Sequence, residues 1–334
     1  MYVNSSDCGY VILMITSEDI FSINSDDDFN RVALEVFHFQ RQNCEVYKNY
    51  CELLQVDNIR HYKEIPFLPI EFFKSHLVIA NVQPILKTFK SSGTGGNRSQ
   101  HHITDISLYE KSFFATFNQL IGNPEGLVIL ALLPNYLEQG DSSLVYMVDR
   151  LIELTQNELS GFLLNEPSQV IDRCREAHEN NKRVVLFGVS YALLDLAEQK
   201  IDLERVTIIE TGGMKGRRRE MTKSELHTTL KTKLNSPTIL SEYGMTELLS
   251  QAYTTGGLQF TAPAWMKVLI RDVNDPFTIV SDGKTGGINV IDLANINSCS
   301  FIATQDLGKK DNDQFEVLGR FDHSEIRGCN LLVQ

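Results

Sequence analysis

Hydrophobic and polar residues follow different periods in different parts of this chain. Within residues 17–60, apolar side chains recur at near-helical spacing behind the polar and acidic residues of 25–28, so this region is predicted to be helical. Between residues 106 and 210, apolar runs that suit buried strands alternate with amphipathic stretches that suit helices. Such alternation predicts a parallel sheet with right-handed crossover connections.

The predicted elements change character along the chain. The α/β part is predicted to contain strands at 127–133, 183–188 and 206–210, and helices at 106–120, 141–155 and 191–199. Two further strands are predicted ahead of it, at 78–82 and 85–89. Beyond residue 253 the pattern becomes short strands separated by turns, at 266–272, 277–280, 287–293, 300–303 and 314–317. The C-terminal part is therefore predicted to be a smaller β-rich subdomain.

Composition and charge narrow the possible classes of protein. The 334 residues are 42% hydrophobic and 22% charged, which is ordinary for a globular protein, and no apolar run approaches the length of a membrane span. The net charge of −12 argues against a nucleic-acid binder, whose binding face would be basic. The six cysteines include no Cys-x-x-Cys pair, which argues against a structural zinc site. We expect a soluble cytoplasmic protein with reduced thiols and no signal peptide.

A loop rich in serine and glycine follows the predicted strand at 85–89. This Ser/Gly loop, residues 90–98, reads Lys-Ser-Ser-Gly-Thr-Gly-Gly-Asn-Arg. Glycine lets the backbone approach an anion, the hydroxyls add donors, and Arg98 adds a fixed positive charge. The spacing is neither that of a Walker loop nor Gly-x-Gly-x-x-Gly. Alone, the loop is equally typical of a solvated turn, and only the polar segments downstream favour a phosphate site.

Three later segments place polar residues on apolar flanks. In the first, 208–216, a β-branched run breaks into glycines, which predicts a strand that opens into a tight loop where a planar ligand could lie. The second, 240–248, contains Tyr-Gly-Met-Thr-Glu. The third begins with Thr-Gln-Asp inside 301–308 and ends with Gly-Arg-Phe-Asp at 319–322.

In this order, the Ser/Gly loop and the three segments resemble the motifs of adenylate-forming enzymes, which activate a carboxylate as its acyl-AMP. The matching motifs are the phosphate loop, the adenine loop, Tyr-Gly-x-Thr-Glu, Thr-x-Asp and Gly-Arg-x-Asp. Within that superfamily the chain most resembles the acyl-protein synthetases, the fatty-acid ligases of bacterial luminescence systems and their non-luminous relatives. The narrower resemblance lies in four segments, 66–76, 132–138, 210–216 and 327–330. It spans roughly residues 60–334.

The resemblance implies an α/β fold, the large N-terminal domain of an adenylate-forming enzyme. Its mostly parallel sheets would be flanked by helices and joined by a smaller β-rich subdomain. We expect the C-terminal lid domain to be absent, because the chain stops twelve residues after Asp322. The expected divisions are a helical segment packed on the main domain, the α/β nucleotide-binding subdomain, an adenine- and ribose-contacting segment with the β-rich subdomain, and a truncated hinge with its tail, at 1–80, 81–235, 236–318 and 319–334 respectively.

The resemblance also implies a role for each motif. The phosphates of ATP would lie against Ser91, Ser92, Gly93, Thr94, Gly95 and Gly96, with Arg98 as a nearby cation. Tyr243 would stack on the adenine, and Gly212, Gly213 and Met214 would line it from another side. Gly244, Met245 and Thr246 of the same motif would also bind the nucleotide. Glu247 would be a Mg²⁺ ligand, because hard oxygen ligands suit that ion. Asp306 would accept hydrogen bonds from the ribose hydroxyls, with Arg320 alongside.

Several of these residues also have ordinary structural interpretations. By residue type alone, Glu247 suits a surface or N-cap position, Tyr243 a core position and Asp306 a turn. Three histidines could lie near the acyl-adenylate but are equally typical of polar core or surface: His76, His101 and His102. The basic cluster 217–219 suits either a docking site for an acidic partner or a solvated charge run.

Cys329 is the candidate acyl acceptor within the chain. The acyl-protein synthetases are understood to pass the acyl group to a cysteine near their own C-terminus and then to a partner protein. A thiolate is a good nucleophile toward an acyl-phosphate anhydride, and the neighbouring Arg327 could lower the pKa of the thiol. The alternative is a small buried residue that completes a last strand.

The resemblance thus predicts an AMP-forming acid–thiol ligase that uses ATP and Mg²⁺, with Glu247, Arg98 and Cys329 as its catalytic residues. Its substrate would be a fatty or other apolar carboxylic acid, and its acceptor a protein or carrier thiol. Two alternatives stay open. One is an acyl- or aryl-CoA ligase, and the other is a catalytically weak nucleotide-binding subunit of an acyltransferase or reductase complex.

Overall fold

The computed structural model describes residues 15–80, 83–92, 98–133, 140–163, 167–199, 201–212 and 221–321. The described helices are α1 Ser17–Phe21, α2 Asp26–Asn43, α3 Glu45–Leu53, α4 Phe72–Ser75, α5 Ile106–Leu120, α6 Ser143–Thr155, α7 Pro167–Glu179, α8 Ser190–Ala197 and α9 Lys223–Leu234. The described strands are β1 Leu68–Pro69, β2 Lys87–Lys90, β3 Gln100–Ile103, β4 Leu127–Leu132, β5 Gly161–Phe162, β6 Arg183–Val189, β7 Val206–Thr211, β8 Ile239–Tyr243, β9 Ala252–Thr254, β10 Phe260–Thr261, β11 Met266–Arg271, β12 Thr285–Asp292, β13 Phe301–Asp311 and β14 Gln314–Arg320.

Twelve of the described strands form one mixed sheet. Its order is β11-β12-β13-β14-β10-β9-β8-β7-β6-β4-β5, and β1 pairs in parallel with β13. The strands from β5 to β8 run parallel, whereas β8 and β9 pair antiparallel and every strand beyond them follows that antiparallel pattern. The β-rich part therefore extends the edge of the parallel sheet at β8. Strands β2 and β3 form a separate antiparallel hairpin.

The parallel half of the sheet is buried on both faces, as its continuous apolar strands predict. Successive residues of β4 point to opposite sides, so Ile129 and Ala131 join one apolar core while Val128 and Leu130 join another. Helices α5 and α6 cover the first face, and α7, α8 and α9 cover the second. Among the described residues, no helix has the length and apolar character to cross a bilayer.

The N-terminal helices pack on the antiparallel half of the sheet. Ser25 caps α2 by accepting a hydrogen bond from Asp28 N at 3.1 Å, as the cluster of caps and acids predicts. The ring of Tyr47 in α3 stacks on Phe301 in β13, with 6.0 Å between ring centroids. Gln40 is fully buried and donates to the carbonyl oxygen of residue 296 at 2.9 Å. The helices are thus tied to the sheet by both apolar and polar contacts.

Several predicted elements differ from the observed ones. The strand predicted at 78–82 is absent over the described residues 78–80, where the backbone bonds instead to a loop: Ala80 N donates to Asn297 O at 2.9 Å. The strand predicted at 277–280 is reduced to one bridge, between Arg271 and Ile279. Helices α7 and α9 were not predicted, because polar and charged residues together outnumber the apolar ones in both. The buried apolar positions of α7 nevertheless recur at helical spacing, at Val170, Cys174 and Ala177.

Candidate functional site

Most of the motif residues lie beyond the carboxyl ends of β7 and β8 or on the neighbouring strands β13 and β14. Gly212 follows β7 directly and has a φ of 70°, a conformation that favours glycine. The Tyr-Gly-Met-Thr-Glu motif begins with the last residue of β8. Ligands of α/β sheets commonly bind beyond the carboxyl ends of the parallel strands. Gly93–Gly96, Gly213, Met214 and Cys329 lie outside the described residues.

A tyrosine, a carboxylate and a guanidinium meet on one side of this region. Tyr243 Oη donates a 2.9 Å hydrogen bond to Asp306 Oδ2. Asp306 and Arg320 are partners across β13 and β14, and Arg320 Nε lies 3.4 Å from Asp306 Oδ1. Burial raises the pKa of Asp306, and Arg320 acts against that rise. Asp306 therefore belongs to a strand rather than to a turn, and it remains positioned to accept further hydrogen bonds.

The ring of Tyr243 is held among other aromatic rings. Its centroid lies 5.8 Å from that of Phe260 and 5.4 Å from that of Phe315. The side chain is buried, so Tyr243 has the core position of its structural interpretation and also presents its hydroxyl to Asp306. The two interpretations of Tyr243 are therefore compatible.

Glu247 is almost fully buried, at 5% relative exposure, rather than lying on the surface. Burial raises the pKa of its carboxyl, and a hydrogen bond from the side chain of Ser99 lowers it. Asn295 Nδ2 donates to Glu247 O at 2.8 Å and fixes the backbone at this point. Ser99 directly follows the Ser/Gly loop, so the loop and Glu247 are neighbours in the fold.

His101 contacts the backbone of the residue that precedes Glu247. Its Nδ1 lies 2.8 Å from Thr246 O and its Nε2 lies 3.0 Å from Asn295 Oδ1. Burial lowers the pKa of His101 to about 4, and the hydrogen bonds with Thr246 and Asn295 act against that fall. His102 is half-buried beside Thr88, and His76 is exposed. The structure therefore gives His101 a polar-core role that positions the backbone next to Glu247.

The described ends of the Ser/Gly loop are bound to each other. Ser91 N donates to Ser99 O at 3.0 Å, and Ser99 N donates to Ser91 Oγ at 3.0 Å. Ser92 is half-buried beside this pair. The guanidinium of Arg98 forms an ion pair with Asp141, with 3.0 Å between Nη2 and Oδ1. The loop is thus closed at its base by hydrogen bonds and by charge.

Two buried carboxylates, Glu210 and Glu242, lie next to Thr211, the residue that precedes Gly212. Burial alone would raise the pKa of Glu210, but contacts with Lys223, His227 and Ser241 bring it down to about 2. Glu242 is the opposite case, because burial raises its pKa to about 7 although the Thr211 hydroxyl donates to it.

The carboxyl of Glu242 also explains a glycine in the neighbouring motif. It lies against the backbone of Gly244, where a Cβ atom would overlap Glu242 Oε1. A side chain at position 244 would therefore have to displace this buried carboxyl.

The raised pKa of Glu242 predicts a pH-dependent loss of stability. Between its ordinary value of 4.5 and about 7, the native state binds more protons at this carboxyl than the unfolded state does. The free energy of unfolding therefore falls as the pH rises through this window. We expect Glu242→Gln to remove that loss and to stabilise the protein by about 1–3 kcal/mol at about pH 8. The difference should close at about pH 4, as measured by urea unfolding.

Glu210→Gln is the matched control for that experiment. The pKa of Glu210 is lowered, so its ionised carboxylate stabilises the native state at any pH above the ordinary glutamate pKa of 4.5. Glu210→Gln should therefore be less stable than wild type at the same alkaline pH. Identical pH slopes for wild type and Glu242→Gln would contradict the prediction.

Some supporting residues were not predicted from the sequence. Asp292 is fully buried at the end of β12 and accepts hydrogen bonds from Leu249 N at 2.8 Å and Ser250 N at 2.9 Å. It thereby holds the segment that follows Glu247. Asn295 and Ser99 act in the same region, as described above. The sequence offers one signal for Asp292, a carboxylate at the end of an apolar strand in Val-Ile-Asp-Leu. Many aspartates with a purely structural role have the same local pattern, so the signal does not single out Asp292.

Comparison with known proteins identifies the family. A profile of the family described as acyl-protein synthetase, LuxE, matches residues 3–334. The chain belongs to the acyl-protein synthetase family. A relative in Aliivibrio fischeri, a long-chain-fatty-acid–luciferin-component ligase, is 23% identical over 367 aligned residues, which cover 98% of this chain and 94% of the relative. The predicted resemblance and the predicted enzyme class, a ligase, are both confirmed.

Two solved structures illustrate the fold that this chain shares. ATP-bound MatB from Rhodopseudomonas palustris is 17% identical, with a TM-score of 0.55 over 72% of this chain and 49% of MatB. The chain thus spans about half the length of MatB. A 2-hydroxyisobutyryl-CoA ligase in complex with 2-HIB-AMP and CoA is 10% identical, with a TM-score of 0.64 over 94% of this chain and 74% of that ligase. These similarities confirm the predicted fold class.

The described residues of this acyl-protein synthetase fit a nucleotide and one Mg²⁺ ion. Within the described ranges, no cluster of three or more histidine, cysteine or acidic side chains forms a metal site. Mg²⁺ is commonly held by one or two carboxylates together with substrate phosphates, so the single buried carboxylate of Glu247 suits it. Tyr243 and Asp306 offer an aromatic ring and a hydrogen-bond acceptor, which suit adenine and ribose.

Proposed function

We propose that this protein activates a carboxylic acid with ATP, releases pyrophosphate and holds the acyl-AMP for transfer to a thiol. The observation that carries the proposal is that the base of the Ser/Gly loop, the buried Glu247 and the Tyr243–Asp306 pair lie close to the carboxyl end of β8. Together they would supply positive charge and hydrogen-bond donors for phosphate, a carboxylate for a metal and an acceptor for a ribose diol.

The chain's own residues would divide the work of adenylation. Asp306 would accept hydrogen bonds from the ribose hydroxyls while Tyr243 Oη holds its carboxylate in place. Ser91 and Ser92, at the start of the Ser/Gly loop, would donate to the phosphates. Mg²⁺ held at Glu247 would supply positive charge against the pyrophosphate as it leaves. Because Glu247 is buried and forms a hydrogen bond with Ser99, its carboxylate would keep a fixed position relative to the end of the Ser/Gly loop.

The acid is proposed to be a fatty or other apolar acid. The name of the relative in Aliivibrio fischeri, a long-chain-fatty-acid ligase, supports this class. The apolar stretches at 113–117 and 130–137 of the sequence suit either the lining of an acyl pocket or the core. Phe113 and Phe117 are buried in the core with β4 and β6, so the acyl chain would have to lie beside them rather than replace their contacts.

Acid-dependent ATP–pyrophosphate exchange tests the proposal. The purified protein is assayed with ATP, Mg²⁺, labelled pyrophosphate and a panel of acids that varies chain length and polarity. Exchange that appears only with an added acid is the expected result, with the highest rate for medium or long apolar acids. ATP binding without exchange for any acid would instead favour a nucleotide-binding subunit and would reject the proposed reaction.

An acyl-CoA ligase is the second candidate. The similarity to a 2-hydroxyisobutyryl-CoA ligase bound to CoA favours it. Once an acid is found, the product of the second step separates the two functions. Acyl-CoA formed from added coenzyme A identifies a CoA ligase, whereas label that remains on protein and is released by hydroxylamine identifies transfer to a protein thiol.

The ribose assignment predicts a selective loss of ATP affinity. We expect Asp306→Asn to raise KM for ATP by about 10–100-fold, because a hydrogen bond to a charged group contributes about 1.5–3 kcal/mol. KM for the acid should change little. Asp172→Asn is the control, since Asp172 is exposed and pairs with Arg175 on α7 at 3.4 Å. An unchanged KM for ATP in Asp306→Asn would reject the assignment.

A further inference from the structure

One carboxylate joins the two ends of the Ser/Gly loop. Asp141 Oδ1 lies 3.0 Å from Arg98 Nη2, and Asp141 Oδ2 lies 3.5 Å from Lys90 Nζ. Arg98 Nη1 also approaches Asp141 Oδ2 at 3.4 Å. The backbone contributes as well, since Lys90 N donates to Asp141 O at 2.9 Å. Asp141 thus contacts the first and the last residue of the loop at the same time.

Arg98 is oriented by this arrangement. Its guanidinium donates to Lys90 O at 3.2 Å and to Ser91 O, in addition to Asp141. A guanidinium has five donors in a planar fork, so these contacts fix both its position and its plane. Its side chain is 28% exposed and that of Asp141 is 21% exposed, which partly shields the ion pair from solvent. Arg98 therefore links the two sides of the loop instead of extending freely toward a ligand.

Helix α6 holds Asp141 in place. The next residue, Ser142, is the N-cap of α6 and accepts a hydrogen bond from Val145 N at 3.4 Å. Along α6, Met147 and Val148 are buried in the core that α5 and β4 share. The base of the Ser/Gly loop is consequently attached to the body of the domain and not only to its own hairpin.

The charges at the base of the loop do not cancel. Lys90 and Arg98 carry two positive charges and Asp141 one negative charge, which leaves a net charge of +1 beside the loop. A net positive charge attracts phosphate. The carboxylate of Asp141 lies between the two cations and reduces their mutual repulsion. The two cations are therefore oriented by contacts within the protein.

We propose that Asp141 is a positioning residue for ATP, which holds Lys90 and Arg98, the described ends of the Ser/Gly loop, in position for the phosphates. The inference rests on the proposed function of the loop. It changes the expected role of Arg98, which acts first as the link across the loop. Asp141 does not contact the substrate in this account, and it acts through the two cations and the backbone of Lys90.

Steady-state kinetics of Asp141→Asn in acid-dependent exchange test the proposal. We expect KM for ATP to rise about tenfold, the scale of one charge-assisted hydrogen bond, with kcat nearly unchanged. Asp141→Glu should recover part of the ATP affinity because it restores the charge. Asp172→Asn is the control, since Asp172 is an exposed partner of Arg175 on α7. The thermal transition of each variant is measured so that misfolded protein is recognised.

A double-mutant cycle makes the test specific. Because Asp141 acts partly through Arg98, Asp141→Asn should raise KM for ATP by a smaller factor in an Arg98→Gln background than in wild type, where the contact with Lys90 alone remains. An unchanged or lower KM for ATP in the single variant would overturn the proposal, since it would mean that the carboxylate is neutral for ATP or competes with it. Wild-type protein that neither binds ATP nor exchanges pyrophosphate would instead reject the function of the site.

Discussion

Glu247→Gln is expected to lower acid-dependent ATP–pyrophosphate exchange on the order of 10²-fold or more, the scale for loss of one electrostatic contact to a transition state. Glutamine keeps the size of the side chain and can still accept a hydrogen bond from Ser99, but it removes the negative charge that a hard cation requires. The apparent Mg²⁺ requirement should rise in parallel. The measurement is exchange rate against Mg²⁺ concentration at saturating ATP and acid.

The same substitution should leave the fold intact. Burial raises the pKa of Glu247, which means that the ionised carboxylate is disfavoured by its surroundings and that a neutral amide is tolerated. The thermal transition of the variant should therefore match or exceed that of wild type. Glu35→Gln is a suitable control, because Glu35 lies on α2 and pairs with Arg31 at 3.1 Å. Wild-type exchange and Mg²⁺ dependence in Glu247→Gln would show that Glu247 is not a metal ligand.

Cys329→Ser is expected to abolish labelled acyl-protein while acid-dependent exchange continues at the wild-type rate. Adenylation does not use the thiol, whereas covalent capture of the acyl group needs a thiolate. The protein is incubated with ATP, Mg²⁺ and the labelled acid, precipitated and treated with hydroxylamine, which releases thioesters. Cys329 lies outside the described residues, so the prediction depends on its place in the sequence and on the resemblance.

The four described cysteines provide the controls for this experiment. Each of the four described thiols is buried, and burial raises the pKa of Cys51 to about 11 and that of Cys174 to about 12. Burial also raises the pKa values of Cys44 and Cys299. All four thiols are therefore poor nucleophiles. Cys174→Ser is therefore the matched control and should retain labelling. Labelling that survives in Cys329→Ser would transfer the acceptor role to another residue.

Local sequence patterns were sufficient for much of the fold. Helix α5 has the predicted bounds, because Asp105 caps it by accepting from Ser107 N at 2.9 Å and because Tyr109, Phe113 and Phe117 recur at helical spacing. Strand β4 was predicted for a similar reason, since its run of six apolar residues is buried on both faces. In each case the deciding information lies within a few neighbouring residues.

Contacts between distant segments could not be predicted in the same way. The hydrogen bonds of Asp292 to the backbone after Glu247 join residues more than forty positions apart, and so does the ion pair between Arg98 and Asp141. No local period marks such partners, and an isolated aspartate is typical of many turns and caps. The motif residues could be named from the resemblance, whereas the residues that hold them in place required the fold.

A crystal structure of the protein with Mg²⁺ and a non-hydrolysable ATP analogue tests the central claim most directly. We predict that the ribose hydroxyls lie within hydrogen-bond distance of Asp306, that the phosphates lie along the Ser/Gly loop, and that Glu247 contacts the metal. A nucleotide bound elsewhere, with Glu247 and Asp306 contacting neither metal nor ribose, would contradict the account.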